Sequence, residues 1–515
     1  MAKARTPLVI GPFAGGLNLY DDPTAIQDTE CVEALNFEPG LDGSLMSRPP
    51  FQDLSTPIPL GATGDATPLG VYYSESGLFY LLATDGVSKT YYYFGGTWNL
   101  ITDTFAASGF AQYDGKAWLV APVGEIDPGG SWTPAGGFVA DADMPRGDVI
   151  LSYNFRLWIA RGKNATQGTR VHYSKVLGQP NFWQTPGFID VGAGDGQSIV
   201  SLSIYYNALV IFRTRSIWTL QYVTDPAQAT VQVLVPGVGL ENKYCLVSEE
   251  NYLYFFYDSN AYQFINNQVQ QINVKVPFEA VSRSGIALPL AVSVFGKRIL
   301  YSFYDTLYLY SLRTRTWTRW RSAQHGAIGK IVSPVSPDTL DAAYAMSSKA
   351  IAAGGSRSCP LLYIREDVAG IAEVFQCVLQ TKNYNYELPS NFKRLFWWGV
   401  DAIFRGQVKG EVIPIVYASK PTWGQLRTAG VTWHQLLQGT WGSPLSVPLS
   451  VETAYNLNNL GPTRKFVKFK KGLRFRQLGF RLTFPVDGTT LTLPVYVFSL
   501  SAYIVTRENV VKAIS

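Results

Sequence analysis

Histidine, cysteine and charge are all scarce in these 515 residues, and each scarcity excludes something. Only three histidines occur, His172, His325 and His434, far apart and in no metal-binding or triad frame. The commonest general base and metal ligand therefore has few places to act. No G-x-S-x-G elbow and no Walker A loop is present, which removes two recognisable nucleophile and phosphate frames. The four cysteines, Cys31, Cys245, Cys359 and Cys377, lack metal-ligand spacing. Cys359 and Cys377 leave a disulfide open, but thiols this sparse read as small buried hydrophobes of a reducing cytosol. Charged residues are 16%, below the roughly 25% of an average soluble protein. A net charge of +5 is too mild for a dedicated nucleic-acid binder. No apolar run approaches the ~20 residues of a membrane helix. Residues 1–12 carry two basic residues without the apolar core of a signal peptide, so synthesis in the cytosol is expected.

Aromatic and turn-forming residues are plentiful instead: 30 Tyr, 28 Phe, 13 Trp, 47 Gly and 30 Pro. That mixture favours short strands joined by many turns and predicts an all-β chain. From residue 66 a cadence recurs, at 69–82, 110–120, 151–160, 203–212, 251–257 and 294–303. Each copy is an apolar or aromatic strand, a tight polar or Gly turn, and a second apolar strand. Third strands follow at 216–220, 260–264 and 306–310, and 313–320 alternates with aromatics on one face. Units start about 40 to 50 residues apart, the period of propeller blades. A single meander cannot bury both faces, whereas a radial ring of them can. The expectation is a β-propeller of about six blades over 66–345.

An Ala-, Ser- and Gly-rich stretch at 337–360 places a boundary near residue 345. Beyond it, alternating runs at 368–383, 392–404, 411–418, 464–484 and 490–506 predict an Ig-like or jelly-roll β-sandwich over 346–515. A loop-rich insertion at 421–463 carries Trp423, Trp433 and Trp441, a candidate docking surface because tryptophan is enriched at binding hot spots. Residues 1–65 read as an N-terminal arm. It contains a Gly-rich turn at 11–19 and a short helix after Asp28 or Thr29, with Val32 and Leu35 inward.

Candidate chemistry is thin. Asp190 to Gly196, and Asp141 with Asp143, share the composition of a calcium loop but not its ligand spacing. Asp and Gly are first of all turn formers, so no metal and no cofactor is expected. Asn164-Ala165-Thr166 is a sequon without a secretory context. Carboxylate pairs for glycoside cleavage meet only in the fold, so a glycan hydrolase stays open as an enzymatic alternative. Lys465, Lys468, Lys470, Lys471, Arg474 and Arg476 alternate with Phe466, Phe469, Leu473 and Phe475. That run reads as a strand with one face in the core, its basic face free to block edge aggregation or to meet a subunit or DNA.

The N-terminal pattern is the most specific feature. Gly15-Gly16-Leu17-Asn18, Asp21-Asp22-Pro23, Ile26, Glu30, Asn36, Gly43 and Arg48-Pro49 resemble the opening segment of tailed-phage virion proteins. The segment is similar to the start of nozzle-type (tail tubular B-like) proteins of short-tailed phages. The resemblance implies a non-enzymatic virion tail protein, made in the bacterial host cytoplasm and assembled as a homo-oligomeric ring, a hexamer by analogy. Its partners would be copies of itself, the tail adaptor or other tail proteins, genomic DNA passing the lumen, and the host envelope. Gly15, Gly16, Leu17, Asn18, Asp21, Asp22, Arg48 and Pro49 would then form an assembly interface, with the three loop tryptophans. A tail-tip protein contacting the host receptor is the alternative role.

Overall fold

The computed structural model describes residues 8–506, except 41, 60–65, 162–166, 177–181, 184–186, 222–224, 279–290, 304–305, 323–324, 326–327, 335–341, 348–357, 366–372, 374, 385–392, 404–407, 416–446, 452–462, 476 and 485–495. The chain forms two compact units. One gathers Met1–Pro50, Tyr310–Gln324 and Val368–Ser515; the other gathers Phe51–Leu309 and His325–Asp367.

The Phe51–Asp367 unit is built from four-stranded antiparallel sheets, five of them consecutive meanders. They begin with the strands Thr67–Tyr73, Gly109–Tyr113, Val149–Tyr153, Ile199–Tyr205 and Leu246–Glu249. The strands Ala291–Phe295 and Arg298–Ser302 pair antiparallel and open a further meander. A last sheet starts at Ile328–Val332, continues through Ala342–Ser347 and Ser358–Arg365, and takes Phe51–Pro59 as its outer strand. The first strands of these sheets neighbour one another in chain order, and Ile328–Val332 returns to Thr67–Tyr73. The ring is therefore closed, as in a β-propeller. Phe51–Pro59 precedes the first sheet in sequence yet completes the last one, so the chain itself closes the ring.

Local sequence explains the meanders. Asp114-Gly115, Asn154-Phe155, Glu250-Asn251, Asp258-Ser259 and Asn266-Asn267 hold both residues at positive φ. Two such residues make the type I′ turn whose twist suits a two-residue hairpin. Asn, Asp and Gly tolerate that conformation; Phe155 and Glu250 adopt it under strain imposed by the flanking ladders. A repeated latch joins neighbouring sheets. The hydroxyl of Tyr72 donates to Gly115 O, that of Tyr113 to Phe155 O, and that of Tyr153 to Asn207 O. Each tyrosine near the end of a first strand thus satisfies a carbonyl in the next sheet's hairpin. Apolar cores fill the spaces between sheets. Tyr72, Leu82, Leu119 and Trp132 pack between the first two, and Trp158, Val171, Leu202 and Ile211 between the third and fourth.

The second unit is a β-sandwich of two sheets. One runs in the order Thr463–Phe475, Lys393–Ile403, Tyr496–Thr506, Leu45–Ser47, Phe37–Pro39, with Leu8–Ile10 beside Tyr496–Thr506. The other includes Trp317–Trp320, Glu30–Leu35, Cys377–Thr381, Gln477–Phe484, Val408–Ile415 and Val447–Val451 in that order. Gly16–Leu17 lies parallel to Glu30–Cys31.

Three sequence expectations change. The short helix after Asp28 is instead the strand Glu30–Leu35, paired parallel to Trp317–Trp320 and antiparallel to Cys377–Thr381. Helical spacing of Val32 and Leu35 gave way to ladder pairing on both sides, which local propensity cannot foresee. The 1–65 arm is not a separate body: residues through Ser47 are woven into the sandwich, and Phe51–Pro59 belongs to the propeller. The boundary near 345 falls inside the propeller's last sheet, and Tyr310–Gln324 joins the sandwich. Cys377 is a free buried thiol, so the Cys359–Cys377 disulfide does not form. Its Sγ donates to Asn36 O at 3.3 Å.

Candidate functional site

The resemblance residues build the interior of the sandwich. Leu17, Asn18, Arg48 and Pro49 are buried, Gly16 is buried, Gly15 is half-buried, and Asp21 and Asp22 are exposed. Asn18 Nδ2 donates to Glu30 Oε2 at 2.9 Å and to Asp21 Oδ2 at 3.0 Å, while its Oδ1 accepts from the Tyr20 and Asp21 amides. Gly16 has φ of +67°, and a Cβ there would sit 2.7 Å from Trp317 O. Arg48 spends all five guanidinium donors. It gives Nε to Asn36 Oδ1 (3.0 Å), Nη1 to Pro49 O (2.8 Å) and Glu373 Oε2 (2.8 Å), and Nη2 to Arg321 O (3.4 Å) and Glu373 Oε1 (2.7 Å). Both side chains of the ion pair are 0% exposed. Ser322 Oγ also donates to Glu373 Oε1 at 2.8 Å. Burial inside one chain leaves Leu17, Asn18, Arg48 and Pro49 no face for a neighbouring subunit. Among the described members of the proposed interface set, Asp21 and Asp22 are exposed.

Trp423, Trp433, Trp441, Arg476, His434 and the sequon at 164–166 lie outside the described residues. Lys465, Lys468, Lys470, Lys471 and Arg474 lie on Thr463–Phe475, which among the described residues is an edge strand of its sheet. The calcium-like loop is held by arginines. Arg213 donates to both Asp195 carboxylate oxygens, to Gly192 O and to Gln197 O. The hydrogen bond from Arg213 holds the Asp195 carboxyl below the usual range. Asp190 is likewise lowered by its hydrogen bond from Arg170. Carboxylates committed in this way are poor calcium ligands. Among the described residues no group of three or more His, Cys, Asp or Glu is placed to hold a metal.

The most distinctive polar geometry sits in the propeller, where the first strands converge. A partly open cavity of about 130 Å³ is lined by Leu69, Ser108, Asp148, Ser201, Lys243, Tyr244 and Lys330, among others. These residues come from six different sheets or the turns that enter them, so the cavity marks the ring axis. Lys243 Nζ donates to Ser108 O at 2.7 Å and to Asp148 O at 3.2 Å. Lys330 Nζ donates to Leu69 O at 2.8 Å. The Tyr244 ring lies 5.1 Å from Lys243 Nζ and 5.8 Å from Lys330 Nζ, within cation–π reach.

Burial, with Lys243 adding to it, pushes the Lys330 ammonium down to about 8. Burial also lowers Lys243, against the pull of Asp148. Desolvation raises Asp148, which Lys243 partly offsets. The Tyr244 hydroxyl is pushed up to about 12 by burial and by Asp148, so it stays neutral. Sequence reasoning missed this cluster. Lys243 and Lys330 are isolated basic residues 87 positions apart, and only ring closure brings them together.

No family model and no curated protein matches the chain. Solved structures that match part of the chain include the extracellular domain of a hybrid two-component system from B. thetaiotaomicron. It is 10% identical with a TM-score of 0.41, covering 67% of this chain and 42% of that one. The AfRom2 CNH domain is 8% identical with a TM-score of 0.40, covering 62% of this chain and 99% of that domain. The chain spans less than half of the bacterial structure.

Proposed function

We propose that this chain is a non-enzymatic structural subunit of a bacteriophage tail, a nozzle-like ring component that lines or gates the path of DNA. The observation that supports it is the use made of the resemblance residues. Asn18, Glu30, Asn36 and Arg48 are buried and hydrogen-bonded within one sandwich, Asn36 to Arg48 and Asn18 to Glu30. A pattern with a joint structural role is better explained by a shared framework than by chance composition. In this reading the propeller has seven blades, Ala291–Ser302 opening the sixth, and the sandwich is of Ig-like or jelly-roll type. Copies meet in a ring, with six expected. The basic edge strand Thr463–Phe475 is the surface offered to a neighbouring subunit or to DNA, since an unpaired edge is the natural place for a further contact.

Electron microscopy of an intact particle tests the assignment through copy number and position. A ring of six or twelve copies below the adaptor supports it. Three copies on the tail axis would move the chain to the tail tip, next to the receptor. Hydrolysis of host surface glycans by the purified chain, abolished by a single carboxylate substitution, would overturn the non-enzymatic assignment.

A further inference from the structure

We propose that the axial cavity of the propeller binds a small phosphate-type oxyanion between Lys243 and Lys330. The inference is independent of the tail assignment. An ammonium group has three N–H donors. Lys243 uses two of them on Ser108 O and Asp148 O, and Lys330 uses one on Leu69 O. One donor on Lys243 and two on Lys330 are left over beside the cavity that both residues line. Among the described residues, neither amine has a carboxylate oxygen within ion-pair distance. Asp148 lines the same cavity and attracts Lys243, but one carboxylate faces two partly desolvated cations, and the excess positive charge is costly. The two cations repel each other, which is part of what lowers Lys330. A bound dianion would remove that repulsion and take up the remaining donors through charge-assisted hydrogen bonds.

Shape and charge narrow the ligand. The ≈ 130 Å³ cavity is far above the ~10–15 Å³ that admits one water, so a group of five heavy atoms fits. The backbone carbonyls of Leu69, Ser108 and Asp148 hold the amines in place before any ligand arrives, which limits the ordering cost of binding. Asp148 acts on Lys243, so Lys330, whose shift comes from burial and Lys243, is the amine whose charge is least offset. Ser201 lines the same space and offers a hydroxyl. A phosphate carries about −1.5 to −2 charges at neutral pH, suited to two ammonium groups delivered from different sheets and partly offset by Asp148. Free phosphate and the terminal group of a phosphomonoester share this chemistry.

The test is titration calorimetry on the full chain with inorganic phosphate at constant ionic strength and neutral pH, with a parallel arm using glycerol phosphate. Saturable binding is expected, weakened at least about tenfold, or ~1.4 kcal/mol, by Lys330→Met or Lys243→Met. Lys116→Ala, on an exposed side chain outside the cavity, should leave affinity unchanged. Binding should weaken as pH rises above about 8, where Lys330 loses its proton and the phosphate has already lost its second one; Lys243, also lowered, acts in the same direction, Asp148 is already a carboxylate, and Tyr244 stays neutral. This pH profile uses the unaltered chain and keeps the proposal testable should a methionine variant fail to fold. Glycerol phosphate binding as well as phosphate points to a phosphomonoester, and phosphate alone to the free ion; either supports the site. No saturable heat up to on the order of 10 mM phosphate, equal binding of acetate, or unchanged affinity in Lys330→Met would overturn it.

Discussion

Replacing Arg48 by methionine removes a guanidinium whose five donors are all used and strands the Glu373 carboxylate in a site with 0% exposure. Ser322 Oγ would still donate to it, but a neutral hydroxyl does not replace the lost bidentate cation. Breaking a buried pair in this way costs about 3–5 kcal/mol. A cost of that size raises the open population of the sandwich by roughly 10² to 10³·⁵-fold against a total stability of ~5–15 kcal/mol. Glu373→Gln should also destabilise, leaving the cation behind. The double variant Arg48→Met with Glu373→Leu should cost less than the two singles together, because no lone charge stays buried. Arg48 also rests 3.9 Å over the Phe375 ring, a contact that methionine keeps in apolar form. The assay is hydrogen exchange read peptide by peptide. Amides of Glu30–Leu35 and Cys377–Thr381 should lose protection, while Arg156–Ala160 in the propeller should not. A change below about 1 kcal/mol, or equal loss in both units, would refute the argument that this ion pair anchors the sandwich.

Three further outcomes follow from named contacts. Gly16→Ala should destabilise the sandwich by about 1–3 kcal/mol in chemical denaturation, because the φ of +67° and the 2.7 Å approach to Trp317 O both oppose a side chain. Tyr113→Phe deletes one inter-sheet latch to Phe155 O and should cost roughly 0.5–1.5 kcal/mol, read as a lowered midpoint with unchanged denaturant slope. His172 is buried with no hydrogen-bond partner on either ring nitrogen among the described residues, and burial with Arg161 and Arg170 lowers it to about 4. The unfolded chain then binds the proton first as pH falls below about 6.5, so stability should fall between about 6.5 and about 4 and level off beneath. His172→Phe should flatten that part of a stability-against-pH curve, and an unchanged slope would show that another group carries it.

The propeller was largely legible because its information is local. Strand, two-residue turn and strand recur in the sequence, and Asp114-Gly115 or Asn266-Asn267 announce their own turn type. The cadence misses one of the propeller's sheets. Ile328–Val332 opens a sheet that lacks the aromatic signature, and its fourth strand comes from Phe51–Pro59, nearly 300 residues earlier. The strand Glu30–Leu35 was misread because its partners, Trp317–Trp320 and Cys377–Thr381, are equally distant. Nothing within ten residues of Glu30 distinguishes an acidic first helical turn from a buried carboxylate that receives the Asn18 amide.

By itself, then, the sequence determined an all-β chain with a repeated blade unit, since alternation, turn chemistry and aromatic packing act over a few residues. It also carried the N-terminal pattern, whose Asn18, Asn36 and Arg48 proved to be interior polar residues of the sandwich. Tertiary structure alone decided which strands close the ring, that Arg48 would find Glu373 across 325 positions, and that Lys243 and Lys330 would share one cavity. Those pairings depend on ring closure and on sheets assembled from remote segments, and neither leaves a trace at fixed spacing in the chain.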